Sequence, residues 1–329
     1  LTRRVYFSKQ RTKMWFSFRR YSLMRRMFTE ISFKSHRANC RGRLYEPTKA
    51  TRNGAGIVLA HGICGTMDAG LFPYAEAFAE AGFHALVFDY RGFGLSDGTP
   101  RQYVSVPRQR QDWRAAITRL RMHTNVDADR IGLWGMSFSG GHVIHLAHED
   151  TRIGAVVSQV PSIDPVLSLN IGTFDRGPEK TQILIDKITA RMKWRWFFRK
   201  AEMLLIAPRS RRSYATDVAV LAAKEAAVYP KLGGPSWRNE LHPDSFITGK
   251  LMDNNPSLLT DDLTTPMLIQ LGEGDRCVSN EAIHNFVRRC GPLARLSRYK
   301  AEHFTMLQDT PARAKGINEA IGFFKEHLN

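Results

Sequence analysis

Acidic residues are missing from the first 29 positions, and no two cysteines share a C-x-x-C spacing. No apolar run approaches the ~18 residues that a membrane-spanning helix needs, which excludes such a helix. The four cysteines, Cys40, Cys64, Cys277 and Cys290, are too few and too scattered for a zinc-finger or disulfide framework. They read as free thiols of a reducing compartment, so the expected setting is intracellular and cytoplasmic. There is no H-E-x-x-H pair, which removes one route to a hydrolytic metal. Internal repeats and low-complexity tracts are also lacking, so the 329 residues are not a solenoid or a linker array.

What the chain has in excess is positive charge, and it is unevenly placed. The net charge is +17, and residues 1–26 alone hold nine Lys or Arg. Removing residues 1–30 takes away nine positive charges and one negative, which lowers +17 to +9. This arm also carries Tyr6, Phe7, Trp15, Phe16, Phe18 and Phe28 among serines and threonines. An arginine-rich, acid-free segment fits a mitochondrial-type transit sequence, or a helix contacting an anionic membrane surface. It equally fits a basic extension without either role. Charge alone would allow nucleic acid as a partner, but no recognition motif supports it, and none is expected. With 43% hydrophobic and 24% charged residues, the remainder has a globular composition.

From Ile31 onward, strand-like and helix-like segments alternate. "ISFKS" and "RGRLYEP" alternate apolar with polar and predict a hairpin. "AGIVLAHG" reads as a buried strand, "LFPYAEAFAEAGF" as a helix closed by Gly82, and "HALVFDYRGFG" as a strand entering a glycine-rich loop. Trp113, Ala116, Ile117 and Leu120 make an apolar face for a helix across 105–122. "RIGLWG", "IGAVVSQVP" and "TPMLIQLGEGD" supply further strands. A helix over 280–289, a strand over 293–299 and a last helix over 312–328 follow. Short apolar strands alternating with helices predict a mostly parallel sheet covered on both faces.

The alternation pauses near Pro161 and resumes at Thr265. About a hundred residues without structure are implausible inside a compact domain, so this stretch reads as an inserted helical cap. The expected organisation is a basic extension over 1–30, a core over 31–160, the cap over 161–262, and the rest of the core over 263–329.

One serine stands out. In "RIGLWGMSFSGGHVIHLAHED", Ser137 sits between the strand Ile131–Trp134 and a helix over Phe138–His148, hemmed by Gly135, Gly140 and Gly141. A sharp strand–turn–helix of this kind exposes a nucleophile, and its usual form is G-x-S-x-G. Here the second glycine is Ser139. A serine hydroxyl needs a histidine base oriented by a carboxylate, and on this topology the acid and then the base follow the serine. "GEGDRCVS" offers Glu273 and Asp275 past one strand end, and "YKAEHFTML" offers His303 past the next. Asp275 lies further into its loop and is preferred to Glu273. The developing oxyanion needs two donors. They are expected from the backbone N–H of Phe138 and from that of Ile63, presented by the His61-Gly62 turn. His61 reads as a brace for that turn, and Cys64 as a pocket neighbour without a base of its own. His142, His145 and His148 recur every third residue, but steps of three drift around a helix, so no shared metal is expected.

Together these residues resemble the α/β-hydrolase superfamily from about Ile31 to Leu328, the cap apart. "FDYRGFGLSDG" (Phe88–Gly98) is similar to that family's loop after the fourth strand. "GMSFSGGH" is similar to a subgroup of esterases with fungal relatives acting as polyketide acyltransferases or thiohydrolases. The resemblance implies an α/β-hydrolase fold, a mostly parallel sheet of about eight strands flanked by helices with an inserted helical cap. It implies Ser137 as nucleophile, Asp275 as acid, His303 as base, and the N–H groups of Ile63 and Phe138 as the oxyanion hole. Ser139 and Glu302 depart from the glycines common at those positions. No metal or organic cofactor is expected.

The expected function is cleavage of a small-molecule carboxylic ester or thioester through an acyl-enzyme. An acyltransferase passing the acyl group to an alcohol is the alternative, and a non-catalytic binding protein on the same fold is the second. In the cap, Trp194, Trp196, Phe197, Phe198 and Met203 lie among eight Lys or Arg between Arg191 and Arg212. They fit either a pocket with a basic rim or an amphipathic helix with solvated cations. Oligomeric state is not legible.

Overall fold

The computed structural model describes residues 28–169, 203–207, 220–221 and 224–328, with isolated positions between them. The basic arm up to residue 27 and the aromatic centre of the expected cap, Trp194, Trp196, Phe197 and Phe198 included, lie outside the described residues.

The expected hairpin forms from β1 (Phe28–Ser35) and β2 (Ala38–Tyr45), closed at His36, whose φ is 53°. β2 runs antiparallel to β4 (His84–Phe88), with Tyr45 opposite Ala85. From there the sheet is parallel: β4, β3 (Gly56–Ala60), β5 (Ile131–Met136), β6 (Ile153–Gln159), β7 (Met267–Gly272) and β8 (Ala294–Tyr299). The eight strands lie in the order β1-β2-β4-β3-β5-β6-β7-β8. Every residue of β3, β4, β5 and β7 is buried, as strands with both faces covered require.

The main helices are α1 (Phe72–Glu80), α2 (Val106–Arg121), α3 (Phe138–Glu149), α4 (Asn280–Cys290) and α5 (Pro311–His327). Gly82 ends α1 with φ 108°, a conformation that costs a side-chain-bearing residue strain. α1 and α5 cover one face, where Tyr74 packs on Trp134 and Phe78 meets Phe324 edge-on. α2 inserts Trp113, Ala116, Ile117 and Leu120, as its periodicity predicts, and Trp113 packs on Phe88 of β4.

The insertion follows β6 and returns to β7. Its described part runs as short helical turns, among them Pro165–Leu169, Lys224–Val228 and Asp244–Ile247. A single bridge joins Leu204 to Leu241. No helix among the described residues is long and apolar enough to cross a membrane.

Candidate active site

Ser137 lies between the end of β5 and the first turn of α3, with φ 56° and ψ −118°. That backbone conformation is costly for a residue with a side chain and persists only where the surroundings over-determine it. The surroundings do so here. The Ser137 N–H donates to the carbonyl of Gln159 at 2.8 Å, and its own carbonyl accepts the N–H of Ser162 at 2.9 Å. A Cβ at Gly135 would fall 2.3 Å from the carbonyl oxygen of Ser139, so only glycine lets the turn close.

Asp275 and His303 meet directly. Asp275 Oδ2 lies 2.6 Å from His303 Nδ1, and both residues are buried. Asp275 Oδ1 accepts the N–H groups of Cys277 (2.8 Å) and Val278 (3.1 Å), which fix the carboxylate in its loop. Burial works to lower the pKa of His303. The charge and hydrogen bond of Asp275, with the charge of Glu225, outweigh it and hold the pKa above the ordinary histidine value. Glu273, the other carboxylate in the sequence pattern, is exposed at the mouth of the same loop.

The turn that carries Ile63 lies against the serine: a Cβ at Gly62 would sit 3.2 Å from Ser137 Oγ. Ile63 and Phe138 line one pocket together with Ser137. His61 is buried, its Nε2 lies 3.1 Å from the Ala69 carbonyl, and its ring stacks on Tyr229. Burial lowers its pKa to about 4, so it braces the turn as a neutral ring. Cys64 is buried beside the turn but does not line the pocket; Cys277 does, because the loop after β7 turns it inward. His142 Nε2 lies 2.9 Å from Gln109 Oε1, and the three helix histidines form no common metal-holding group among the described residues.

Three contributors escaped the sequence pattern. Ser139 Oγ donates to the His61 carbonyl and pairs with the Tyr90 hydroxyl, which accepts the indole N–H of Trp113 at 2.6 Å. The serine at the pattern's second glycine position thus ties the Ser137 turn to the His61–Gly62 turn. Asn254, in the insertion, donates Nδ2–H to the Phe138 carbonyl at 2.7 Å. Glu225, also in the insertion and buried, accepts the N–H of Arg276 beside Asp275 at 2.6 Å.

The pocket encloses about 580 Å³ of space between atoms, its open mouth included. Its walls are apolar, with Phe246, Leu251, Met252 and Val278 among them. Ser137, Ser162, Ser168 and Cys277 supply the polar groups, and no charged side chain lines it among the described residues.

The alpha/beta hydrolase family pattern matches residues 57–314. The chain belongs to that family. Over 135 residues it is 43% identical to the quorum-quenching protein AidA of Acinetobacter baumannii, covering 41% of this chain and 44% of that protein. Over 124 residues it is 39% identical to the thiohydrolase aneE of Aspergillus aculeatus, covering 38% of each. The chain thus matches less than half the length of these curated relatives. Similarity of fold extends much further. The α/β hydrolase GrgF from Penicillium aligns with a TM-score of 0.74 at 21% identity, over 92% of this chain and 99% of that one. DcsB, solved with a substrate analogue, gives 0.75 at 22% identity, over 91% and 99%. The family and the fold are those on which esterase-type serine-hydrolase chemistry is built.

Proposed function

We propose that the protein is a serine hydrolase that cleaves a carboxylic ester or thioester through an acyl-enzyme on Ser137. The buried Asp275–His303 bond past the carboxyl ends of β7 and β8, with the strained turn of Ser137 past the carboxyl end of β5, is the observation that carries this reading. His303 Nε2 takes the serine proton as Oγ attacks the acyl carbon. Asp275 holds the imidazole tautomer through Nδ1 and stabilises the imidazolium that forms. The N–H groups of Ile63 and Phe138 receive the oxyanion, a role worth about 2.7–4 kcal/mol per donor in acyl transfer. The imidazolium then protonates the leaving alcohol or thiol, and water, deprotonated by the same ring, releases the acid. The described walls, apolar apart from three serines and a cysteine, suit a neutral acyl group.

Relatives named acyltransferase drtE and polyketide transferases grgF and claH favour a second reading, in which an alcohol replaces water. A fluorophosphonate probe is expected to label the protein, and Ser137→Ala to abolish labelling. Persistent labelling would reassign the nucleophile, and absence of labelling in the parent would leave a binding protein. Incubation with acyl esters and thioesters, with rising alcohol and mass-spectrometric product identification, separates the two reactions. Free acid dominating throughout is expected; a saturable switch to new ester makes the protein an acyltransferase.

A further inference from the structure

We propose that Glu46, His84 and His123 form a binding site for a single divalent transition-metal ion, zinc by the chemistry of its donors. The fold brings the three together from well-separated parts of the chain. β2 pairs antiparallel with β4, with Tyr45 opposite Ala85, so Glu46 arrives beside His84 at the strand's start. His123 lies just beyond Arg121, the end of α2. One donor atom from each residue lies within 4.8 Å of the other two.

Within this group the side chains converge without satisfying one another. His123 Nε2 and Glu46 Oε1 are 3.4 Å apart. That is long for a direct N–H···O bond of about 2.9 Å. It matches the edge of a tetrahedron with metal bonds of ~2.0 Å, which is about 3.3 Å. His84 is fully buried, and neither of its ring nitrogens has a hydrogen-bond partner. Buried polar atoms without partners are uncommon, and an imidazole aimed at a second imidazole and a carboxylate has metal coordination as a ready use.

Two groups oppose binding, and neither closes the site. The N–H of Asn125 donates to His123 Nδ1 at 3.3 Å. A metal on Nε2 moves the ring proton to Nδ1 and gives up that one long bond in exchange for coordination. The guanidinium of Arg52 is engaged with Asn125 Oδ1 at 2.6 Å. Two imidazoles and a carboxylate select zinc over calcium or magnesium, and the exposed Glu46 leaves room for water as a fourth ligand. The site is at the amino ends of the parallel strands, whereas Ser137 is at a carboxyl end, so the ion takes no part in acyl chemistry. It would tie β2, β4 and α2 together.

The test uses the full chain, stripped with chelator and titrated with zinc by calorimetry and native mass spectrometry, with cobalt as a spectroscopic probe. One ion per chain is expected, with a raised thermal midpoint. Glu46→Gln and His123→Asn are each expected to weaken binding by about tenfold or more. His84 is left intact because its replacement would open a hole in the core. Metal-free variants melting at the parent temperature establish that the fold is retained; a variant that melts lower is replaced by Glu46→Ala or His123→Gln. Absence of stoichiometric zinc, or binding unchanged in variants at both positions, overturns the proposal.

Discussion

At the scale of single residues, two carboxylates two positions apart sit in different surroundings. Asp275 is buried against His303 and held by two backbone N–H groups, whereas Glu273 faces solvent. Asp275→Asn is therefore expected to lower kcat by roughly 10³–10⁴-fold, and Glu273→Gln to change it little. Turnover with one ester at saturating concentration checks the ranking. His303 must be neutral to act as base, and its pKa is raised, so kcat/KM should fall on the acid side with a midpoint above the ordinary histidine value. The same shift has a stability consequence of defined sign. Protonated His303 contributes fully below its unfolded pKa, and that contribution is lost as pH rises through the higher folded value. The sequence pattern pointed to these residues because each follows a strand end in order, and the structure joins Asp275 to His303. It was insufficient for Ser139. A serine there reads only as small, and the partners that give it a role, Tyr90, Trp113 and the His61 carbonyl, come from other elements.

At the scale of elements, buried strands bounded by turn residues announce themselves, and the described helices start and end within a residue or two of their apolar periodicity. The insertion was less legible. Its described turns bury few periodic faces, and their positions are set by contacts to the core: Tyr229 on His61, Asn254 on the Phe138 carbonyl, Glu225 on the Arg276 N–H. These are tertiary constraints with no local sequence signal. Glu225 also acts electrostatically on the Asp275–His303 pair, since its charge raises the pKa of His303. Glu225→Gln keeps an acceptor for the Arg276 N–H while removing the charge. The acid limb of kcat/KM is expected to move to lower pH, with the plateau rate little changed. An unmoved limb would reduce Glu225 to a support for the loop. The convergence of Glu46, His84 and His123 was hidden for a related reason, because it depends on the β2–β4 register and the length of α2.

At the scale of the whole molecule, the sheet starts at Phe28, and all residues proposed to act in acyl chemistry lie between Ile63 and His303. Deleting residues 1–27 removes nine positive charges and no acid. It is expected to leave kcat/KM within about twofold, consistent with the small effects of changes far from a site. Loss of binding to anionic vesicles on the same deletion would give the arm a membrane-surface role, and equal binding by both forms would remove it. The Trp113–Tyr90–Ser139–His61 chain has a consequence for substitution. Restoring glycine at position 139 would leave the Tyr90 hydroxyl and the His61 carbonyl each short of a partner in the interior. Placing glycine at position 139 thus removes the hydroxyl that joins the two turns.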